Sequence, residues 1–188
     1  MDKYEYKIKA DEIKELIGDG EYGLAADIAD GIDWRRVKSV TMLCTISDLY
    51  KINRRYEDAK NMLLLAYDRR PGGRIILYSL CELCIKTGDL VRALSCYKEF
   101  VQAAPKDSGR YVLQYKIYAA QNVGLKERIG VLEELKKKDY REKWGYELAY
   151  LYHCAEMSSK CVEECDQVVT YFGYGKYVMK ALELKMQH

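Results

Sequence analysis

Seven cysteines and two histidines are the side chains of this sequence whose types suit metal binding. Cys81 and Cys84 have the Cys-x-x-Cys spacing of half a zinc site. A second cluster can be drawn from His153, Cys154, Cys161 and Cys165. Free cysteine also behaves as a small apolar side chain, so each of these residues has an alternative role in packing. The elements that carry the cysteines decide between the two roles.

Residue types that support catalysis are scarce. His153 and His188 are the only histidines, and the sequence contains no Gly-rich phosphate loop, nucleophile elbow or two-histidine metal motif. General acid–base catalysis would depend on carboxylates or tyrosines, and a site built from scattered residues of that kind is the open alternative. We therefore predict that the protein is not an enzyme and has no catalytic residues.

Apolar residues recur along the chain with a period of 34 residues. The set Leu43, Ile46, Ser47 and Tyr50 returns as Leu77, Leu80, Cys81 and Cys84. Offsets of three, four and seven place such residues on one face of an α-helix. Ala25, Ala59 and Ala93 keep the same interval, and Pro71 and Pro105 mark the ends of two units, because proline lacks the amide donor that a helix interior needs. Each unit is therefore predicted to be a pair of amphipathic helices.

A 34-residue helix pair with small residues at fixed positions and a closing proline resembles the tetratricopeptide repeat family. The resemblance implies an all-α fold, a right-handed superhelix of antiparallel helix pairs with about five pairs and a C-terminal capping helix. We expect a single domain over residues 1–188. Its units are predicted at approximately 6–39, 40–73, 74–107, 108–141 and 142–174, followed by a terminal helix at 175–187. Cys81, Cys84, Cys161 and Cys165 occupy packing positions of these units, which favours a core role and predicts no metal and no cofactor.

The fourth unit, 108–141, departs from the pattern. Its apolar residues fit better if one extra residue is inserted at Asn122-Val123-Gly124. The predicted packing face of its first helix holds Tyr111, Gln114, Tyr115 and Tyr118, so a polar amide stands where other units have leucine. We expect a local change in the crossing angle between helices here, with a break in the array as the alternative.

The composition of the chain gives an expectation for its cellular location. Apolar residues make up 49% of the chain and charged residues 32%, with only two prolines and no low-complexity tract. The longest apolar stretch, 75–85, is interrupted by Ser79 and Glu82, so we expect neither a signal peptide nor a membrane span. An odd number of cysteines without a signal peptide favours reduced thiols and a cytoplasmic location.

Basic residues form several short clusters although the net charge is only +2. The clusters are Arg35-Arg36-Lys38, Arg54-Arg55, Arg69-Arg70-Arg74 and Lys136-Lys137-Lys138. They fall mainly at helix ends and in loops, where solvation and contacts with helix C-termini explain most of them. Nucleic-acid binding would need a continuous basic face with aromatic rings for stacking, so the pattern disfavours a nucleic-acid partner.

In the family that the sequence resembles, the first helix of each pair lines a concave groove. The side chains predicted to face that groove and contact a partner are Tyr78, Glu82, Lys116, Tyr146 and Tyr150. Tyr78 and Glu82 are four residues apart, as are Tyr146 and Tyr150, and therefore point the same way on a helix. Such a groove suits an extended or helical peptide. The carboxylates of Asp48 and Glu82 would repel an acidic tail there, and a solvated polar face is the alternative role.

These observations predict a non-catalytic protein-interaction scaffold that binds a peptide or protein segment. A ligand- or peptide-sensing regulatory module is an alternative. The last helix runs to Gln187-His188 without a capping glycine or proline, so a second alternative is the N-terminal interaction domain of a longer protein whose activity lies C-terminal. Pairing of exposed terminal helices between two copies of the chain also stays open.

Overall fold

The computed structural model describes residues 1–188 and contains eleven α-helices and no β-strand. The helices are α1 Lys3–Gly18, α2 Tyr22–Asp30, α3 Val40–Ile52, α4 Tyr56–Arg69, α5 Arg74–Lys86, α6 Leu90–Ala103, α7 Gly109–Ala120, α8 Leu125–Lys138, α9 Glu142–Cys154, α10 Ser158–Phe172 and α11 Lys176–Lys185. One short 3-10 turn, Trp34–Arg36, precedes α3. Five helix pairs and a terminal helix are thus present, as predicted. None of the helices has the length and apolar content that crossing a bilayer requires.

The turn inside each helix pair has the same backbone geometry. Its second residue has a positive φ at Gly20, Arg54, Gly88, Asn122 and Glu156, which are spaced 34 residues apart. The next amide closes the turn onto a carbonyl near the end of the first helix; the Asp89 amide, for example, donates to the carbonyl of Cys84 at 2.8 Å. This is the left-handed helix ending for which glycine is preferred, because other residues are strained there.

The helices pack into two compact units, Met1–Pro105 and Lys106–His188. In the first unit each of the helices α1 to α5 packs against the next helix along the chain. Its fully buried side chains include Ile13, Leu43, Ile46, Leu49, Leu77, Leu80 and Phe100. Small residues allow the two helices of a pair to approach closely. The Ser47 hydroxyl donates to the carbonyl of Ala59 at 2.9 Å, and one period later the Cys81 thiol donates to the carbonyl of Ala93 at 3.4 Å.

The second unit contains α7 to α11 and begins with the irregular pair. Residues 121–124 form a turn one residue longer than the three-residue turns of the other pairs, which confirms the predicted insertion. The predicted packing face of α7 was largely wrong: only Tyr115 is buried, whereas Tyr111, Gln114 and Tyr118 are half-buried. The residues buried with Tyr115 are Val112, Leu113 and Ile117. These apolar side chains need no hydrogen-bond partner, whereas the Gln114 amide is satisfied at the interface edge by the Tyr118 hydroxyl at 3.0 Å.

Candidate interaction surface

The residues predicted to contact a partner fall in both compact units. Tyr78 and Glu82 lie one turn apart on α5 and are half-buried, and the Tyr78 ring packs 5.7 Å from the Phe100 ring. Lys116 is half-buried on α7. Tyr146 and Tyr150 lie on α9, where their rings stack at a centroid distance of 6.4 Å. The structure therefore brings two of the predicted side chains into direct aromatic contact.

Tyr146 and Tyr150 belong to a longer row of rings, Tyr177, Tyr146, Tyr150 and His153, which we call the aromatic row. Neighbouring ring centroids lie 6.1 Å, 6.4 Å and 6.2 Å apart along it. Tyr150 has 44% of its surface exposed, while Tyr146, Tyr177 and His153 are half-buried. Aromatic rings at these separations stabilise one another and present a continuous apolar surface with polar edges.

Tyr177 was missed as a member of this surface, because the groove residues were predicted only on the first helix of each pair. It lies on α11, which packs against both α9 and α10. Lys180, one turn further along α11, places its Nζ atom 5.7 Å from the Tyr146 ring and 5.4 Å from the Tyr177 ring. The terminal helix thus supplies both a ring and a cation to the surface.

The two histidines meet at the other end of the aromatic row. Nδ1 of His153 lies 2.7 Å from Nε2 of His188, and the rings are nearly perpendicular. Nδ1 of His188 lies 3.1 Å from the Ser158 hydroxyl. The ring nitrogens of His188 therefore connect α9 to the start of α10 and close this end of the row.

The surroundings of Tyr146 and Tyr150 favour the neutral form of these two tyrosines. Burial, followed by the Glu147 carboxylate, raises the pKa of Tyr146. A hydrogen bond with the Cys154 thiol raises the pKa of Tyr150. A neutral phenol can both donate and accept a hydrogen bond. The surface can therefore offer a ligand ring faces, hydroxyl groups and the Lys180 ammonium.

The cysteines that could have formed a metal site are buried inside the helix pairs. Cys81, Cys84, Cys161 and Cys165 have no exposed surface, as expected of packing residues. A hydrogen bond with the Cys96 thiol, together with burial, raises the pKa of Cys84. Burial raises the pKa of Cys165 to about 12. Burial therefore favours the neutral form of the Cys84 and Cys165 thiols and agrees with a packing role.

Comparison with known proteins identifies the fold. A scan against family models and a search of curated proteins gave no match. Among solved structures, a tetratricopeptide repeat protein from Parabacteroides merdae matches with a TM-score of 0.73 and 15% identity, over 88% of this chain and 64% of that one. MamA from Desulfovibrio magneticus, from residue 41 to its end, matches with a TM-score of 0.69 and 17% identity, over 87% of this chain and 93% of that one.

A third solved structure is YrrB, described as a tetratricopeptide repeat protein with an unusual peptide-binding site. It matches with a TM-score of 0.62 and 16% identity, over 93% of this chain and 90% of that one. At these levels of identity the matches define the fold. The chain is an all-α protein with the tetratricopeptide repeat fold, as the 34-residue period predicted.

Proposed function

We propose that this chain is a non-catalytic scaffold that binds a peptide or protein segment, and that the aromatic row is its main contact surface. The observation that carries the proposal is the stacking of Tyr146 and Tyr150 on α9, with Tyr150 exposed and Lys180 beside the rings. Tyrosine is among the residues that contribute most to protein interfaces, because a rigid ring buries a large area and its hydroxyl can still hydrogen-bond. The peptide-binding site ascribed to YrrB supports this choice of ligand class.

Tyr78, Glu82 and Lys116 complete the proposed set of contact residues. Their half-buried side chains combine one ring with charges of both signs, which suits a peptide of mixed character. We also infer a reducing compartment such as the cytoplasm, because all seven cysteines are free thiols in the fold.

A peptide library displayed on phage and selected against the intact chain would test the scaffold function. We expect enriched peptides whose affinity falls by at least about tenfold in the double variant Tyr146→Ala/Tyr150→Ala. The matched control is Tyr4→Ala/Tyr174→Ala, because these tyrosines are 73% and 85% exposed and lie outside the row. Selection without enrichment, or peptides that bind both variants equally well, would contradict the proposal.

A further inference from the structure

An open cavity lined almost entirely by cations lies in the first compact unit. Its lining residues are Arg35, Arg36, Lys38, Val40, Arg69 and Arg70, and its volume is about 630 Å³. No carboxylate lines it, although the chain as a whole holds 31 basic and 29 acidic residues. We call it the basic cavity. Its positive charge is concentrated far beyond the average for the chain, and such a concentration attracts anions.

Two segments separated by one 34-residue period build the basic cavity. The 3-10 turn Trp34–Arg36 and the residues leading into α3 supply one set of cations, and the C-terminal end of α4 supplies the other. Nη2 of Arg69 donates to the main-chain carbonyl of Arg35 at 2.6 Å and joins the segments. Trp34 anchors the turn, since its ring is 4% exposed and its indole nitrogen donates to the carbonyl of Ala29 at 3.0 Å. The cations are therefore carried by an ordered scaffold.

Most cations of the basic cavity have no counterion. Arg35 is paired with Asp33, which accepts from it at 2.9 Å and 3.2 Å. Arg36, Lys38 and Arg70 form no ion pair with a carboxylate. Like charges held close together repel one another, and an anionic ligand would remove that repulsion.

Several cations in other basic clusters of the sequence are compensated. Arg55 lies 2.8 Å from Asp30 and 2.9 Å from Asp58. Lys136 lies 2.6 Å from Glu164, and Lys137 lies 3.0 Å from Glu134. Unpaired cations are therefore more concentrated at the basic cavity than in these clusters. A long polyanion such as nucleic acid would need a continuous basic tract.

We propose that the basic cavity binds an acidic segment of a protein partner. Each arginine can donate two parallel hydrogen bonds to a carboxylate or phosphate group, and arginine clusters recognise acidic and phosphorylated motifs in this way. No aromatic ring lines the cavity, so a nucleic-acid base has nothing to stack on. Asp48 and Glu82, which would repel acidic ligands in the groove, do not line it either. The inference that the anionic ligand belongs to a protein rests on the proposed scaffold function. The inference that the cavity binds an anion does not.

Fluorescence anisotropy with a labelled oligoglutamate peptide and a labelled oligothymidine of equal charge would test this proposal. The test variant is Arg36→Glu/Arg70→Glu, because both side chains are exposed and neither is ion-paired. The control is Lys7→Glu/Lys126→Glu, which changes the net charge equally at exposed lysines of α1 and α8. We expect the test variant to lower the affinity for oligoglutamate by about tenfold or more and the control to change it by less than about twofold.

Three results would overturn the proposal: no binding of oligoglutamate by the wild-type chain, equal losses in the two variants, or tighter binding of oligothymidine that the test variant abolishes. The last result would assign the cavity to nucleic acid. The variant Tyr146→Ala/Tyr150→Ala should leave oligoglutamate affinity unchanged. The proposal for the basic cavity and the proposal for the aromatic row can therefore be disproved independently of each other.

Discussion

The Tyr152 hydroxyl donates a hydrogen bond to the Glu133 carboxylate at 2.8 Å. Tyr50, three periods earlier, donates to Asp30 at 2.9 Å. The partners are 19 residues apart in the first case and 20 in the second, because α8 begins one residue late after its longer turn. The same tertiary contact thus persists in two units although the sequence spacing has changed, which indicates that it stabilises the stacking of helices.

Replacing Tyr152 by phenylalanine should lower the free energy of unfolding by about 1 kcal/mol, since a hydrogen bond to a charged group is lost at a half-buried acceptor. Urea unfolding followed by circular dichroism would measure the change. Tyr174→Phe is the control, because that side chain is 85% exposed, and we expect no shift of its midpoint. Equal stability of Tyr152→Phe and the wild type would show that the bond contributes nothing.

Buried tyrosines should make the fold sensitive to alkali. Besides Tyr67, whose hydroxyl donates to Glu99, four tyrosines donate their hydroxyls to carboxylates: Tyr50, Tyr115, Tyr140 and Tyr152. Burial first, and then the neighbouring carboxylate, raises the pKa of each above its usual value. The unfolded chain ionises near the ordinary tyrosine pKa of about 10, while the folded chain does not, so the stabilisation is complete below that pH and is lost above it.

We therefore expect the urea midpoint to fall as the pH rises from about 9 to about 11. The decline should be shallower in Tyr115→Phe, which removes one of these titrating groups, and unchanged in Tyr174→Phe. Lysines also lose charge in this pH range, so the test is the difference in slope between the wild type and Tyr115→Phe. Identical slopes in the wild type and Tyr115→Phe would contradict the assignment.

Much of this fold could be predicted from the sequence, because packing residues recur at a fixed interval. Units were predicted to begin at residues 40 and 74, and α3 and α5 begin at Val40 and Arg74. The extra residue before α8 was also predicted. The face of α7 was harder to predict, since the repeat register placed Gln114 inward and the cost of burying an amide decided otherwise.

The surfaces were predicted less well, because they depend on contacts between separate elements. The contact between the Tyr177 and Tyr146 rings requires the position of α11 relative to α9, which the repeat register does not give. The basic cavity joins two clusters that looked like ordinary charged helix ends. The available signal was the separation of Arg35 and Arg69 by one 34-residue period, since residues one period apart lie on neighbouring units.

Two glycine substitutions, one in a turn and one inside a helix, should have opposite effects on the stability of the fold. Gly88 has a φ of +80°, and a Cβ atom added there would meet no atom within 4 Å, so Gly88→Ala should cost only the backbone strain of about 1 kcal/mol. Gly130 lies inside α8 with equally open space, and Gly130→Ala should stabilise the protein by about 0.5–1 kcal/mol. Thermal unfolding of both variants would measure the two changes. A stabilising Gly88→Ala would show that the turn relaxes away from the left-handed geometry.

Cys154 should be the thiol that reports on the aromatic row. It is exposed, whereas Cys44 is half-buried and the remaining five cysteines are buried. Burial raises the pKa of Cys44 and of Cys161, so both should react slowly. With a chromogenic disulfide reagent near pH 8, we expect one fast-reacting thiol per chain and no fast phase in Cys154→Ser.

The same residue connects thiol labelling to function. The Cys154 thiol lies within hydrogen-bonding reach of the Tyr150 hydroxyl, so a bulky maleimide attached there would cover the exposed end of the ring stack. We expect labelling to lower the affinity for library-selected peptides by at least about tenfold, as the tyrosine variants do. Cys154→Ser treated with the same reagent should bind normally, which controls for labelling elsewhere. Because the basic cavity lies in the other compact unit, oligoglutamate binding should survive the labelling, and loss of both activities together would point to unfolding instead of a blocked surface.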